Sequence, residues 1–324
     1  MTDIAVSVVL CTFEPHIGRI QRTLDGLASQ DLPLQEWELI LVDNASSKPV
    51  ADLDLKLPAN TQIVREPTPG LVHARLAGIA AARGSIIVFC DDDNVFNVDY
   101  LSNARRTIAM AEDIGFATGK SIPEFEAQPE PWMNEFFGCL ALYDHGDDVR
   151  FAGGLVSGYP DFVGGGCGAV FRREALADYA RDFQNKPRAI TGRIGGNLTS
   201  GEDNDIVLTL LRMNWRAAYN PSLSLTHLIG RNRLTKPYLA RLNESIARSW
   251  VKVLHRHGLS PWRPRPPFWL PLQIARAYVR TRAWMGPAEY IRWRGACGHF
   301  RGRADIYRDE RRPVANLVRT EPAK

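Results

Sequence analysis

The chain has 324 residues, 45% hydrophobic and 23% charged, a globular composition long enough for one large domain with an appendage or for two domains. Disorder throughout, collagen-like repeats and a small disulfide scaffold are excluded. The formal net charge of +4 averages two unlike parts: 19 basic and 30 acidic residues up to Ile229 (net −11), then 21 basic and 6 acidic beyond it (net +15).

In chain order, Ile4–Cys11 is a β-branched, near-continuous apolar run, which predicts a strand covered on both faces. Ile17–Ser29 carries apolar residues at helical spacing, Trp37–Val42 and Thr61–Val64 read as further strands, and Leu71–Arg83 as an alanine-rich helix closed by Gly84 at its C′ position. Ser85–Cys90 is another buried strand. The alternation predicts an α/β fold with a mixed, mostly parallel sheet flanked by helices, whose ligands sit beyond the carboxyl ends of the strands. Between Gly115 and Ile229 the pattern is glycine-rich and less regular. A glycine cluster (Gly164–Gly168) leads into a helix-like Ala169–Tyr179, and a polar, glycine-bearing loop spans Thr191–Ser200. A helix then runs from Gly201-Glu202-Asp203 to Arg212, followed by a strand over Arg216–Tyr219. The expected division is a domain over 1–229 and a basic, aromatic, mainly helical extension over 230–324, which holds five of the eight tryptophans.

Location follows from the same residues. No apolar run approaches the roughly 18–20 residues that a spanning helix needs. The N-terminal MTDIAVSVVLCTFEP has no basic region before its apolar run, so no signal peptide is expected. Five cysteines without a C-x-x-C pair argue against a disulfide framework or a structural zinc, with Cys11 and Cys90 read as small buried hydrophobes. The expected compartment is the cytoplasm, with peripheral contact at the inner face of the cell membrane.

Three strands end in oxygen-bearing side chains: Thr12-Phe13-Glu14, Asp43-Asn44-Ala45-Ser46 and Asp91-Asp92-Asp93-Asn94. Turns favour Asp, Asn and Ser, which accounts for each cluster singly. A triple Asp is harder to explain that way, because mutual repulsion calls for a cation or strong donors nearby. A D-x-D at a strand end suits Mg²⁺ or Mn²⁺ held against a diphosphate, Asp93 on the metal and Asp91 on a ribose hydroxyl. Gly201-Glu202-Asp203 has two readings, first-turn acids with Asp203 or Asp205 as cap, or a general base on a substrate hydroxyl. His227 is either a satisfied core residue or a ligand of the same metal. Arg75 either orients a carboxylate or phosphate or lies on a solvated helix face.

The order of these pieces resembles the family 2 glycosyltransferases over roughly residues 5–235. It runs from Val6–Cys11 with Thr12-Phe13-Glu14, through Glu38–Ser46, Gly70-Leu71…Ala74-Arg75…Gly84 and Phe89–Asp93, to Gly165-Gly166 before Phe171–Leu176 and Gly201-Glu202-Asp203 with Trp215. Cys11, where many members have proline, and Glu14-Pro15 depart from the pattern. The resemblance implies the GT-A nucleotide-sugar-binding fold and an inverting, metal-dependent sugar transfer from a nucleotide-diphosphate donor. Thr12, Glu14 and Asp43 would line the nucleoside pocket, with Asp43 or Asn44 near the base, and Asp91 and Asp92 would serve the donor. Asp93 would bind Mg²⁺ or Mn²⁺, with His227 completing the site. Asp203 would be the general base, Glu202 holding the acceptor or sharing that role, and Gly165 and Gly166 would let the backbone approach the sugar or acceptor. The implied acceptor is a glycan or lipid-linked glycan in cell-surface polysaccharide or lipopolysaccharide assembly, and a homo-oligomer is among the expected states.

Two other classes were weighed. Gly164-x-Gly166-x-x-Ala169 formally matches a dinucleotide-binding turn but follows a poor central strand and lacks the later acid. The tail could serve a non-catalytic binding protein, yet an acidic main domain opposes nucleic acid, so none is expected as a partner. Phe268, Trp269, Leu272, Ile274, Ala275, Tyr278 and Trp284, interleaved with Arg276, Arg280 and Arg282, fit either an interfacial helix on anionic lipid or plain packing.

Overall fold

The β-branched runs become strands and the runs with helical spacing become helices, in the expected order. In the computed structural model, which describes residues 4–154, 158–185, 198 and 201–311, nine strands form one sheet. They are β1 (Val6–Thr12), β2 (Trp37–Asn44), β3 (Thr61–Glu66), β4 (Ile86–Asp91), β5 (Asn94–Phe96), β6 (Ile114–Phe125), β7 (Arg150–Gly153), β8 (Val170–Arg172) and β9 (Arg216–Ile229). The order is β3-β2-β1-β4-β8-β6-β9-β5, with β7 also on β9. The β3-β2-β1-β4 block and the β6–β9 pair are parallel, whereas β8, β5 and β7 join antiparallel.

Helices α1 (Ile17–Ala28) and α3 (Tyr100–Ala109) cover one face, and α2 (Leu71–Ala81), α4 (Arg173–Asn185) and α5 (Glu202–Arg212) the other. The two-residue period of a strand divides β1 between them. Val6, Val8 and Leu10 join Ile20, Leu24 and Leu27 of α1, while Val9 joins Ala74 of α2 on the opposite side. Covering both faces explains why these strands read as continuous apolar runs, each fully buried aliphatic side chain contributing about 1.5–3 kcal/mol.

Three details depart from the sequence reading. Gly84 is not the C′ residue of α2; the helix stops at Ala81, and a Cβ on Gly84 would stand 2.7 Å from the Ser7 nitrogen, so glycine is required by close approach to β1. Ala169–Tyr179 is not one helix: Val170–Arg172 inserts as β8 between β4 and β6, where Phe171 packs against Phe89 and Phe116, and the helix starts only at Arg173. The G-x-G-x-x-A turn therefore feeds a strand, not the helix that a pyrophosphate site needs. The strand begun at Arg216 continues to Ile229 and so carries His227. The loop read over Thr191–Ser200 lies, except for residue 198, outside the described residues.

The chain divides into two compact units, Met1–Tyr238 and Leu239–Lys324. The second contains most of α6 (Lys236–Arg256), together with α7 (Leu270–Arg280) and α8 (Pro287–Asp309). Glycines on α8 let it press on α6: a Cβ on Gly298 would lie 2.0 Å from the Glu244 carbonyl oxygen, and one on Gly302 2.7 Å from that of Arg248. Glu244 takes ion pairs from Arg294 and Arg301, and Asp305 one from Arg248 at 2.6 Å. No helix of the described residues is long and apolar enough to cross a membrane.

Candidate active site

The parallel block brings the polar strand ends together by register. Thr12 pairs with Asp43 on one side, and Cys11 with Asp91 on the other, so all three clusters meet at one carboxyl edge. The Thr12 hydroxyl donates to Asp92 Oδ2 at 2.5 Å. Glu14, in the left-handed region at φ 48°, donates its N–H to Ser46 Oγ and accepts from the Ser47 N–H at 2.7 Å, which ties the first strand end to the second.

Asp43 and Asn44 build the wall of this edge. Asp43 accepts from the Ser46 and Val50 N–H groups at 3.0 and 3.1 Å and from Arg65 at 2.5 Å. Burial opposes its ionisation, but these donors prevail and hold its carboxyl below the usual range. Asn44 donates to the Thr68 carbonyl and accepts from the Gly70 N–H, both at 2.7 Å, and so fixes the turn into α2.

Across the edge, β9 pairs His227 with Asn94, and the Leu228 N–H donates to the Asp93 carbonyl at 2.8 Å. This brings His227 Nε2 to 3.4 Å from Asp93 Oδ1, both side chains being buried. Nothing in the sequence distinguishes Arg233 from the other basic residues of the tail. It follows His227 by six positions and reaches back to both groups, with Nη2 2.8 Å from Asp93 Oδ2 and Nη1 3.2 Å from His227 Nε2. Its guanidinium is one of the strong donors that a triple Asp demands. Burial disfavours that charge, but Asp93, Tyr238, Asp92 and Cys167 together outweigh it, so its pKa rises. Asp92 titrates at about 7, raised first by burial and then by the Asp93 charge, against the hydrogen bond from Thr12.

Asp203 arrives from the other side. Gly201, at φ 117°, is the N-cap of α5, so neither Asp203 nor Asp205 is the cap, although both stand in its first turn with Glu202 as that reading expects. Asp203 Oδ1 instead meets Arg75 Nη1 across 128 positions of sequence, with Glu202 Oε1 3.7 Å from the same nitrogen. Arg75 is 5% exposed, which removes the solvated-face reading, and stacks over Phe89 at 4.8 Å. Burial disfavours its charge, but Asp203, Glu202 and Asp91 outweigh that and raise its pKa. Gly166 permits this junction, since a Cβ there would be 2.3 Å from Asp203 Oδ1 and 2.7 Å from Arg75 Nη2. Gly165 faces more open space, and its carbonyl accepts from the Tyr143 hydroxyl at 3.1 Å. The sequence-selected residues thus gather on one edge, and Arg65, Arg233 and Cys167 are the additions. All three lie on neighbouring strands or loops, where no local pattern distinguishes them.

The donor set suits a divalent cation. Asp93 Oδ1 and His227 Nε2, 3.4 Å apart, are near the ~3 Å spacing of adjacent ligands on an octahedral ion. Oxygen and imidazole suit Mn²⁺ or Mg²⁺. Among the described residues no group of three or more His, Cys, Asp or Glu side chains is placed to hold a metal, so the protein would supply two ligands and leave the rest to phosphates and water. The residues fit on those terms.

The architecture is that of the GT-A glycosyltransferases. Residues 7–180, more than half of the chain, match the family model described as Glycosyl transferase family 2, and the chain belongs to that family. It is 31% identical over 142 residues to the uncharacterized glycosyltransferase YwdF of Bacillus subtilis (strain 168), covering 43% of this chain and 52% of that protein. It is 29% identical over 112 residues to N-acetylgalactosaminyltransferase 4 of Drosophila melanogaster, covering 32% and 17%. The chain thus spans about half or less of these relatives. Among solved structures, S. aureus TarS 1–349 in complex with UDP-GlcNAc superposes at a TM-score of 0.53 with 16% identity, over 94% of this chain and 92% of that one. The mannosyltransferase PcManGT from Pyrobaculum calidifontis, in complex with GDP-Man and Mn²⁺, gives 0.53 with 18% identity over 96% and 80%.

Proposed function

We propose that the protein is an inverting, metal-dependent hexosyltransferase that moves a sugar from a nucleotide-diphosphate donor to an acceptor hydroxyl in cell-surface polysaccharide or lipopolysaccharide assembly. The observation that carries this reading is the convergence, at one carboxyl edge, of Asp91–Asp93 with His227 and Arg233, and of Asp203 held by Arg75 against Gly166. The structures that share the fold were solved with UDP-GlcNAc and with GDP-Man and Mn²⁺, which supports the choice of donor class and ion.

In this reading the Asp43–Asn44 wall and Thr12 and Glu14 receive the nucleoside, and Asp91 takes a ribose hydroxyl with Asp92 beside it. Asp93 and His227 would hold Mg²⁺ or Mn²⁺, which when bound would supply a Lewis acid that offsets charge on the departing diphosphate. Arg233, already between those ligands, turns its donors to the phosphate oxygens. Arg75 fixes one oxygen of Asp203, and the other removes the acceptor proton as the hydroxyl attacks the anomeric carbon. A single displacement with one base inverts that carbon, with Glu202 orienting the acceptor or sharing the proton. Gly165 leaves room for sugar or acceptor beside it. The transferase unit is assigned to residues 1–229 and the helical extension to 230–324, in a cytoplasmic protein. A thermal-unfolding panel of nucleoside diphosphates and nucleotide sugars tests the donor assignment. One uridine or guanosine diphosphate species should raise the midpoint by about 5–10 °C at 100 times its Kd, and only with Mn²⁺ present. A metal-independent shift, or stabilisation by NAD alone, would sink the reading.

The extension is assigned to an anionic membrane surface that carries a lipid-linked acceptor. Phe268 is 72% exposed, Val279 64% and Met285 64%, which is unusual for apolar side chains, and the part of the chain they belong to carries net +15. Intact protein should sediment with vesicles containing anionic phosphatidylglycerol and not with neutral ones. Phe268→Ser together with Val279→Ser should abolish that binding; no vesicle binding by the intact protein refutes the assignment.

A further inference from the structure

We infer that Arg65 and Glu14, both fastened to the Ser46-Ser47 turn, are the side chains that read the base of the donor, and that the base they select is guanine. The inference rests on the reading of this edge as the nucleoside pocket of a nucleotide-diphosphate donor, and adds to it which groups are left to touch the base.

The two strand-end side chains of the wall are spent on the wall itself. A carboxylate offers about four lone-pair positions. Those of Asp43 take the Ser46 and Val50 N–H groups, Arg65 Nη1 and the Ser46 hydroxyl, and the residue is 2% exposed. The buried Asn44 amide gives its nitrogen to the Glu66 and Thr68 carbonyls and its oxygen to the Gly70 N–H. Asp43 therefore has no acceptor position left for a base N–H, and Asn44 has no donor left for a base carbonyl.

Arg65 covers this wall from outside. It stands beside Asp43 in the register of β3 on β2, gives Nη1 to Asp43 and Nη2 to the Ser46 carbonyl at 2.9 Å, and keeps its side chain 46% exposed. These bonds use two of the five guanidinium N–H groups, and no acceptor among the described residues takes the other three. Glu14 grips the same turn from the end of β1. Its N–H donates to Ser46 Oγ at 3.0 Å and its Oε1 accepts from the Ser47 N–H at 2.7 Å. The residue is exposed, and among the described residues Oε2 has no donor. One turn thus carries a fork of donors and a carboxylate, both turned to solvent.

Guanine matches that pair. Its rim sets two adjacent acceptors, O6 and N7, next to two adjacent donors, N1–H and N2–H₂. A guanidinium meets the first pair bidentately, and a carboxylate meets the second. Uracil places a single N–H between two carbonyls, and adenine an amino group between two ring nitrogens. Cytosine has adjacent acceptors but one donor group. No other common base offers both pairs.

Calorimetry on the full chain with saturating Mn²⁺ should show GDP binding about 10-fold or more tightly than UDP, CDP or ADP. Two analogues each delete one contact: 7-deaza-GDP lacks N7, and inosine diphosphate lacks the N2 amino group. Each should bind the wild type about 10-fold more weakly than GDP, as the loss of a hydrogen bond to a charged group costs. In Arg65→Ala, GDP and 7-deaza-GDP should bind equally, and in Glu14→Ala, GDP and inosine diphosphate should. Arg65→Ala also uncovers Asp43 and so weakens every nucleotide, but only a lost base contact erases the difference between GDP and its 7-deaza analogue. Tighter binding of UDP than GDP, no 7-deaza penalty in the wild type, or a penalty that persists in a folded Arg65→Ala overturns the inference and leaves the donor reading in place. If no nucleoside diphosphate binds with or without Mn²⁺, the donor reading itself fails and takes this inference with it.

Discussion

Asp203→Asn should leave donor binding within a few-fold of wild type and lower sugar transfer by about 10²–10⁴-fold, the range that a lost general base costs. Asparagine keeps the size of the side chain and one oxygen for Arg75, so the buried guanidinium retains a partner, with Glu202 3.7 Å away as a second. What disappears is a group able to take a proton. The comparison with Asp203→Ala separates chemistry from folding. Alanine removes the nearer counter-charge of Arg75, 5% exposed, and leaving a buried charge short of its partner costs about 3–5 kcal/mol. The alanine variant should therefore lose thermal stability as well as activity, and the asparagine variant activity alone. Transfer by Asp203→Asn at near the wild-type rate would move the base to Glu202 or elsewhere.

Asp93→Ala should abolish the Mn²⁺-dependent part of donor binding, read as loss of the thermal shift that donor and metal produce together. The carboxylate stands 3.4 Å from His227 Nε2 and 2.8 Å from Arg233, so its removal takes away one of the two proposed ligands and the partner that holds Arg233. Removing the partner of the partly buried Arg233 guanidinium costs stability, and part of that cost returns because the substitution also removes the Asp93 charge, the second cause after burial that raises the Asp92 carboxyl to about 7. Asp93→Asn, which keeps the shape and loses the charge, should bind donor weakly and with little response to Mn²⁺. Unchanged metal dependence in either variant refutes the assignment of Asp93.

How much of this was legible without coordinates varies by residue. Val6–Thr12, Trp37–Asn44 and Ile86–Asp91 announce themselves, because a strand covered on both faces has to be apolar along its length and its polar ending is then conspicuous. The Thr12, Asp43 and Asp91 clusters stand out in the sequence for that reason. Arg75 and Asp203 were each visible, but their contact was not, since 128 positions separate them and only the packing of α2 and α5 on one face brings them together. Gly84 reads as a helix end in the sequence but serves a close strand approach in the fold, because both select glycine. Val170–Arg172 is too short to show a period of its own in the sequence, and its place between β4 and β6 makes it a strand.

The sequence by itself determined the α/β class, the strand-end acids, the acid pair at the start of α5 and the opposite charges of the two parts of the chain. These depend on local periodicity and composition. Only the tertiary structure decided that Arg233 reaches Asp93 and His227, that Cys167 lies between Asp91 and His227, and that Asp203 serves Arg75 rather than a helix cap. Each is a contact between strands or loops distant in the chain, and such contacts are set by sheet register and side-chain direction, which no short stretch of sequence encodes.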